Sequence, residues 1–213
     1  MKIAIIGASG FVGGALVEEA LSRSHEVTAI VRNTDRLSKR EHLRAVAVDV
    51  TNTARLAESL RGHDAVISAF SGGTAGTDAY ERHVRGFESI LKAAKLADVP
   101  RLLVVGGAGS LEVAPGVQVV DSPQFPAEWK ANALATRQAL SVLRQEPSLH
   151  WTFLSPPAHL EPGERRGVYR TGADALLTDA AGSSHISVAD YAMSMIDELE
   201  QPRHDRRRFT VAY

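Results

Sequence analysis

The sequence has no cysteine. Disulfides, thiolate nucleophiles and cysteine-held zinc or iron–sulfur centres are therefore excluded, and the chain suits a reducing compartment. Neither sign of charge is in excess: 24 Lys and Arg meet 25 Asp and Glu, a formal net charge of -1. A nucleic-acid binder gathers a basic surplus on one face, so no nucleic-acid partner is expected. The run Arg206-Arg207-Arg208 reads instead as the solvated edge of a terminal strand. Eight histidines scatter without metal-ligand spacing, which predicts no metal site. No apolar run is long enough to cross a membrane. The N-terminal Lys2-Ile3-Ala4-Ile5-Ile6 stops at a glycine loop, too soon for a secretory core. It reads as a buried first strand, and a cytoplasmic location is the default expectation.

What is present is enough apolar residue, 44% of 213, to bury a large core without staples. Apolar β-rich runs alternate with helical patterns. That alternation predicts one α/β domain over 1–213, a Rossmann-type, doubly wound, mostly parallel sheet with helices on both faces. Strands are expected at Lys2–Ile6, Glu26–Val31, Leu43–Val48, Asp64–Ser68, Arg101–Val105, His150–Leu154 and Arg208–Tyr213. The fourth should end in the loop Ser71-Gly72-Gly73-Thr74. The first helix turns Val12, Leu16, Val17, Ala20 and Leu21 inward and Glu18, Glu19 and Arg23 outward. A long helix from Asp78 to Ala97 carries a buried stripe of Val84, Phe87, Leu91 and Ala94. It could also pack against a twin, so monomer and homodimer both stay open. The proline-punctuated stretch from Leu111 to Pro126 is too long for an ordinary connection. Residues 155–186 read as a small irregular cap on the substrate side. Ser187-Val188-Ala189-Asp190 has the form of a capping box, opening a helix whose inner face is Tyr191, Met195, Ile196 and Leu199.

The loop Gly7-Ala8-Ser9-Gly10-Phe11-Val12-Gly13 joins the first strand to the first helix. A dinucleotide site needs this arrangement. Gly7 allows a tight turn, Gly10 lets backbone approach a pyrophosphate, and Gly13 permits close helix-to-strand packing. The helix N-terminus adds N–H groups and a favourable dipole. At the end of the second strand, where a carboxylate would receive the adenosine ribose of NAD, stands Arg32. Its guanidinium suits a 2′-phosphate, so NADP(H) is preferred and NAD(H) remains possible, with Asp35 nearby as an alternative ribose acceptor. Asp49-Val50 follows the third strand and offers a carboxylate to the adenine amino group. Ligands of open α/β sheets lie beyond the strands' C-terminal ends. Phe70, Gly106, Gly107 and Ser110 fall there, Phe70 as a wall for the nicotinamide or as core, and the glycines 106–109 as room for close passage of the cofactor.

Together these residues resemble the short-chain dehydrogenase/reductase superfamily, in its atypical, extended-like branch. The segments Trp151-Thr152-Phe153-Leu154-Ser155-Pro156-Pro157 and Ile186-Ser187-Val188-Ala189-Asp190-Tyr191-Ala192 are similar to NAD(P)H-binding proteins of the NADH-flavin reductase type, related to NmrA-like redox sensors and biliverdin reductase B. The resemblance covers essentially the whole chain. It implies a strand-end serine, a tyrosine and a lysine as proton-transfer groups. Ser110 is then the serine equivalent or a nicotinamide-pocket residue, and Lys130 the lysine, or else a solvated helix charge. The tyrosine's place is held by Pro126. Ketone reduction needs a proton donor for the developing oxyanion, whereas a flavin or quinone needs chiefly ring stacking. The expectation is an NAD(P)H-dependent reductase of such a small acceptor, with a non-catalytic dinucleotide sensor as the alternative. His159 and Glu161 face the substrate opening or solvent, and Trp129 either covers the substrate side or anchors its helix in the core.

Overall fold

The computed structural model describes residues 1–73 and 78–213. Thr74, expected in the loop after the fourth strand, lies outside the described residues. The main sheet contains β1 (Lys2–Ile6), β2 (Glu26–Val31), β3 (Leu43–Ala47), β4 (Ala65–Ser68), β5 (Leu102–Val105), β8 (Trp151–Ser155), β10 (Arg170–Gly172) and β12 (Arg207–Ala212). Their spatial order is β10-β12-β8-β5-β4-β1-β2-β3. Every neighbouring pair is parallel except β10 with β12. Strand order reverses between β1 and β4, which puts the fold's ligand crevice over the C-terminal ends of those two strands.

Strand alternation divides the core in two. Ala4 and Ile6 face a cluster built with α2 (Thr53–Leu60), α3 (Ala79–Leu96) and α4 (Ala127–Arg144). Ile3 and Ile5 face a second cluster built with α1 (Phe11–Ser22) and α5 (Val188–Glu200). A sheet covered on both faces can be apolar at every position, which is why the central strands show no polar alternation. The stretch from Leu111 to Pro126 folds into a small hairpin, β6 (Glu112–Ala114) with β7 (Val117–Gln118), pinned by the fully buried Leu111 and Val120. Within 155–186, β9 (His159–Glu161) and β11 (His185–Ser187) pair as a separate parallel ribbon while β10 joins the main sheet. Ser187 caps α5 by accepting the Asp190 N–H at 3.1 Å, and the Tyr191 hydroxyl donates to the Leu154 carbonyl at 2.7 Å.

Four expectations are corrected. β12 is not an edge, because β10 pairs with its last residues. Arg206 and Arg207 are exposed as expected, but Arg208 is buried and donates to Asp174 (2.8 Å) and to the Ser110 carbonyl (3.2 Å). The buried stripe of α3 is rotated to His83, Gly86, Phe87, Ile90, Ala93 and Ala94, leaving Val84 and Leu91 half-buried. This helix packs on α2 and α4 as well as on the sheet, so small residues face inward. Glu19 is buried on α1, held by Arg23 and Arg165. Trp129 is 53% exposed, since the first turn of α4 projects past the sheet, and it anchors nothing in the core.

Several buried carboxylates are ionised by their partners. Burial opposes ionisation of Glu146, but hydrogen bonds from Lys95 and Ser148 outweigh it and hold the carboxyl at about 2. Glu19 and Asp190 are also held below the usual range, each against its burial. A carboxyl whose folded pKa is depressed stabilises the fold above its unfolded pKa, and that contribution is lost as pH falls towards the folded value. Melting temperature should therefore decline as pH drops through the ordinary carboxylate range, from 4.5 for Glu146 down to about 2. Melting curves of Glu146→Gln against the parent should show a shallower acid decline. An equal slope in both would remove Glu146 from the account.

Candidate dinucleotide-binding site

At the end of β1 the chain turns through Gly7, whose φ of +79° belongs to the left-handed region that favours glycine. A Cβ there would stand 2.6 Å from the Ala69 carbonyl oxygen. Gly10 donates to the Gly7 carbonyl at 3.0 Å and begins α1 in extended conformation. At Gly13 a Cβ would fall 2.1 Å from the Gly7 oxygen, so only glycine lets the helix seat this closely. Ala8 is buried, Ser9, Gly10 and Phe11 are exposed, and Val12 is half-buried. The helix starts with no side-chain cap and no acid in its first turn. Its leading N–H groups are left for an anion, the geometry a pyrophosphate requires.

The next two strands end beside this cradle. Arg32, just after β2, is exposed and makes no hydrogen bond or ion pair among the described residues. Asp49, just after β3, accepts the Thr51 N–H (2.9 Å) and hydroxyl (2.7 Å). Those bonds, with the field of Arg32, keep its carboxyl below the usual range. Val50 is buried, and its carbonyl receives the Ser89 hydroxyl at 2.5 Å. Asp35 lies in a short turn whose N–H is taken by Asn33 at 2.8 Å.

The other half of the crevice is built differently from expectation. The Phe70 ring lies against α3, where a Cβ on Gly86 would come within 2.3 Å of it, and 5.8 Å from the His83 ring. That is the packing role expected as one of its two readings, and the ring stays half-buried. Gly106 and Gly109 are small for neighbours within the protein: added Cβ atoms would meet the Phe153 ring at 2.3 Å and the Ala133 Cβ at 2.9 Å. Gly107 would meet Thr136 at 3.2 Å. Ser110 is buried, and its hydroxyl accepts from Arg208 at 3.4 Å. Lys130 is exposed at the start of α4. No hydrogen bond joins these two. Pro126 occupies the cap of α4. Tyr169, Tyr191 and Tyr213 spend their hydroxyls on Asp197, the Leu154 carbonyl and Asp190. His159 and Glu161 are exposed on β9.

Sequence reasoning missed His83. It is buried in the second turn of α3, and its Nδ1 accepts the Gly72 N–H at 3.4 Å. Burial pushes its pKa down, with Asn132 opposing. Nothing in the spacing signalled it, since a lone histidine on a helix has no pattern. No group of His, Asp or Glu that could hold a metal occurs among the described residues. Nor is any helix among them long and apolar enough to cross a membrane.

A family model described as NAD(P)H-binding matches residues 7–202, from the first glycine of the cradle to just past α5. The chain belongs to this family. Within it, the chain is 44% identical over 215 residues to the uncharacterized protein YwnB of Bacillus subtilis, covering 99% of this chain and 98% of the relative. Among solved structures, a protein of Bacteroides thetaiotaomicron, provisionally described as an epimerase, is 44% identical with a TM-score of 0.93 over 100% of this chain and 96% of its own. A Streptococcus pneumoniae protein, provisionally described as an NADH-flavin reductase, is 39% identical with a TM-score of 0.87, covering 100% and 99%. The two solved relatives share this fold, and their provisional names differ in reaction. The NAD(P)H-binding family and its fold are thus established for this chain.

The cradle makes two adjacent glycines behave oppositely. Gly13→Ala should cost about 1–3 kcal/mol by overpacking and weaken dinucleotide binding, because the Gly7 carbonyl must move. Gly14 has its nearest outside contact at 3.9 Å. Gly14→Ala should gain up to about 1 kcal/mol of helix stability and keep its affinity. Denaturant melts with cofactor titration of both variants test this. Similar behaviour of the pair would remove the Gly7–Gly13 contact as the constraint.

Proposed function

We propose that this protein is an NADPH-preferring reductase of a flavin, quinone or similar conjugated small acceptor. The observation that carries the reading is an intact phosphate cradle combined with Pro126 at the place of the usual proton-donating tyrosine. When bound, the reduced nicotinamide supplies a hydride. The chain's part is then to hold and orient: Gly7 to Gly13 around the pyrophosphate, Asp49 and Val50 beside the adenine, Arg32 on the 2′-phosphate. Lys130 is exposed and free to reach a ribose or acceptor oxygen. Ser110, whose hydroxyl accepts from Arg208, is held at the β5 loop and keeps its own proton to donate to a ribose or acceptor oxygen. A conjugated ring takes its proton from water, so the missing phenol costs such an acceptor little. An epimerase, the provisional description of the Bacteroides relative, would need the proton partner that Pro126 replaces.

NADPH oxidation followed with FMN, riboflavin and small quinones should show acceptor-dependent turnover. Its absence, with cofactor binding intact, would favour the second reading, a non-catalytic dinucleotide sensor like the NmrA-like proteins. The engaged Ser110 and the missing phenol also suit that reading.

Cofactor choice tests Arg32 directly. A guanidinium offers a planar fork of donors to a doubly charged phosphate. A hydrogen bond to a charged group contributes about 1.5–3 kcal/mol, or roughly ten- to a hundred-fold in affinity. Exposure of Arg32 places the effect near the low end and makes it fall with salt. Calorimetric titration of Arg32→Ala should show NADPH binding weakened and NADH binding nearly unchanged. Equal losses would mean that Arg32 supports the loop or the adenine, and a parent protein preferring NADH would overturn the assignment.

A further inference from the structure

Residues 162–169 leave the β9–β11 ribbon and cross the groove between α1 and α5 without forming helix or strand. Two buried carboxylates, one on each helix, fasten them. Arg165 places Nε and Nη2 on the two oxygens of Glu19, both at 3.0 Å, and Arg23 donates to the same carboxylate at 2.9 Å. Arg23 also pairs with Asp197 and Glu200 of α5, so this end ties strap, α1 and α5 together. At the other end the backbone N–H groups of Arg166 and Gly167 donate to Asp190, at 3.0 and 2.9 Å. Tyr213 donates its hydroxyl to Asp190 too, and its ring lies under the Arg166 guanidinium at 4.1 Å. Apolar anchoring is sparse: Val168 is 67% exposed, and Tyr169 is half-buried with its hydroxyl on Asp197.

A segment held mainly by polar contacts to two points belongs to the low-stability end of a fold, able to open while the core stays closed. Its attachments matter for the crevice. The ribbon begins just past the C-terminal end of β8, and α1 carries the glycine cradle at its N-terminus. The strap joins that ribbon to the last turns of α1, so its closed state fixes the ribbon relative to the helix that carries the cradle. We propose that residues 162–169 are an ionic strap that opens and closes as a unit, and that its closed state slows release of the dinucleotide from the α1 cradle. The second half rests on the cofactor placement proposed above.

Hydrogen exchange of the full chain, with stopped-flow release of NADPH, tests both halves. Glu19→Gln and Arg165→Met should each speed exchange in 162–169 by about tenfold or more while β1, β4 and β5 keep their protection. NADPH should leave both variants faster than it leaves the parent, and added salt should narrow the difference. Arg165 is half-exposed, so Arg165→Met keeps the test valid if Glu19→Gln disturbs the whole fold. Unchanged exchange in 162–169, or a rise shared by the core strands of Arg165→Met, would overturn the strap. Faster exchange with unchanged release would overturn its link to the cofactor. A parent that does not bind NADPH would overturn that link and the cofactor reading together, and the exchange arm would still decide whether the strap opens.

Discussion

The approach of α1 to the end of β1 rests on one backbone contact, the Gly7 carbonyl against Gly13. No side chain fits between them, since a Cβ would come within 2.1 Å. This closeness seats Leu16, Val17 and Ala20 in the core beneath the sheet, where α5 packs on them. It also aims the uncapped start of the helix at the crevice between β1 and β4. Sheet packing and the aim of the uncapped helix start thus depend on the same two glycines, so they can be altered together or not at all. A larger residue at Gly13 would shift the helix, and with it every N–H that faces the crevice.

The irregular segments of the C-terminal half are fixed by buried carboxylates, while its strands and helices pack through apolar side chains. Asp190 gathers two backbone N–H groups, the Ser187 hydroxyl and the Tyr213 hydroxyl in a fully buried place. Glu198 does similar work below the sheet, receiving Arg101 at 2.6 Å and the N–H groups of Arg203 and His204. Such a group costs little to bury when every oxygen is partnered, and much when one partner is lost. The irregular chain of this half has few apolar anchors, so these carboxylates define its path.

The first half of the fold was readable because its constraints are local. Strands covered on both faces are written as apolar runs, and the glycine spacing encodes a turn and a contact only a few residues apart. What sequence could not give were the pairings across long separations. Glu19 looked like a solvent residue because Arg165, 146 positions away, does not announce itself. Arg206 to Arg208 looked like an edge because β10 is only three residues long and carries no apolar pattern. Gly106 and Gly109 were correctly noticed as needing a reason, but Phe153 and Ala133 supply it from other elements.

The same asymmetry divides the site. The cradle proposed for phosphate is made of backbone, and its shape is dictated by the glycines. Reaction chemistry depends on a few side chains, and several of them have structural partners here. Ser110 accepts from Arg208, Tyr169, Tyr191 and Tyr213 donate to structural acceptors, and His83 accepts from Gly72. Tyr80, in the first turn of α3, makes no side-chain hydrogen bond among the described residues. Lys130 stands exposed by contrast, and it is a charge without a paired acid. A crevice of this kind is built first to orient a cofactor. The proposed acceptors, which ask chiefly for orientation, suit such a crevice better than a ketone, whose developing oxyanion needs a placed proton donor.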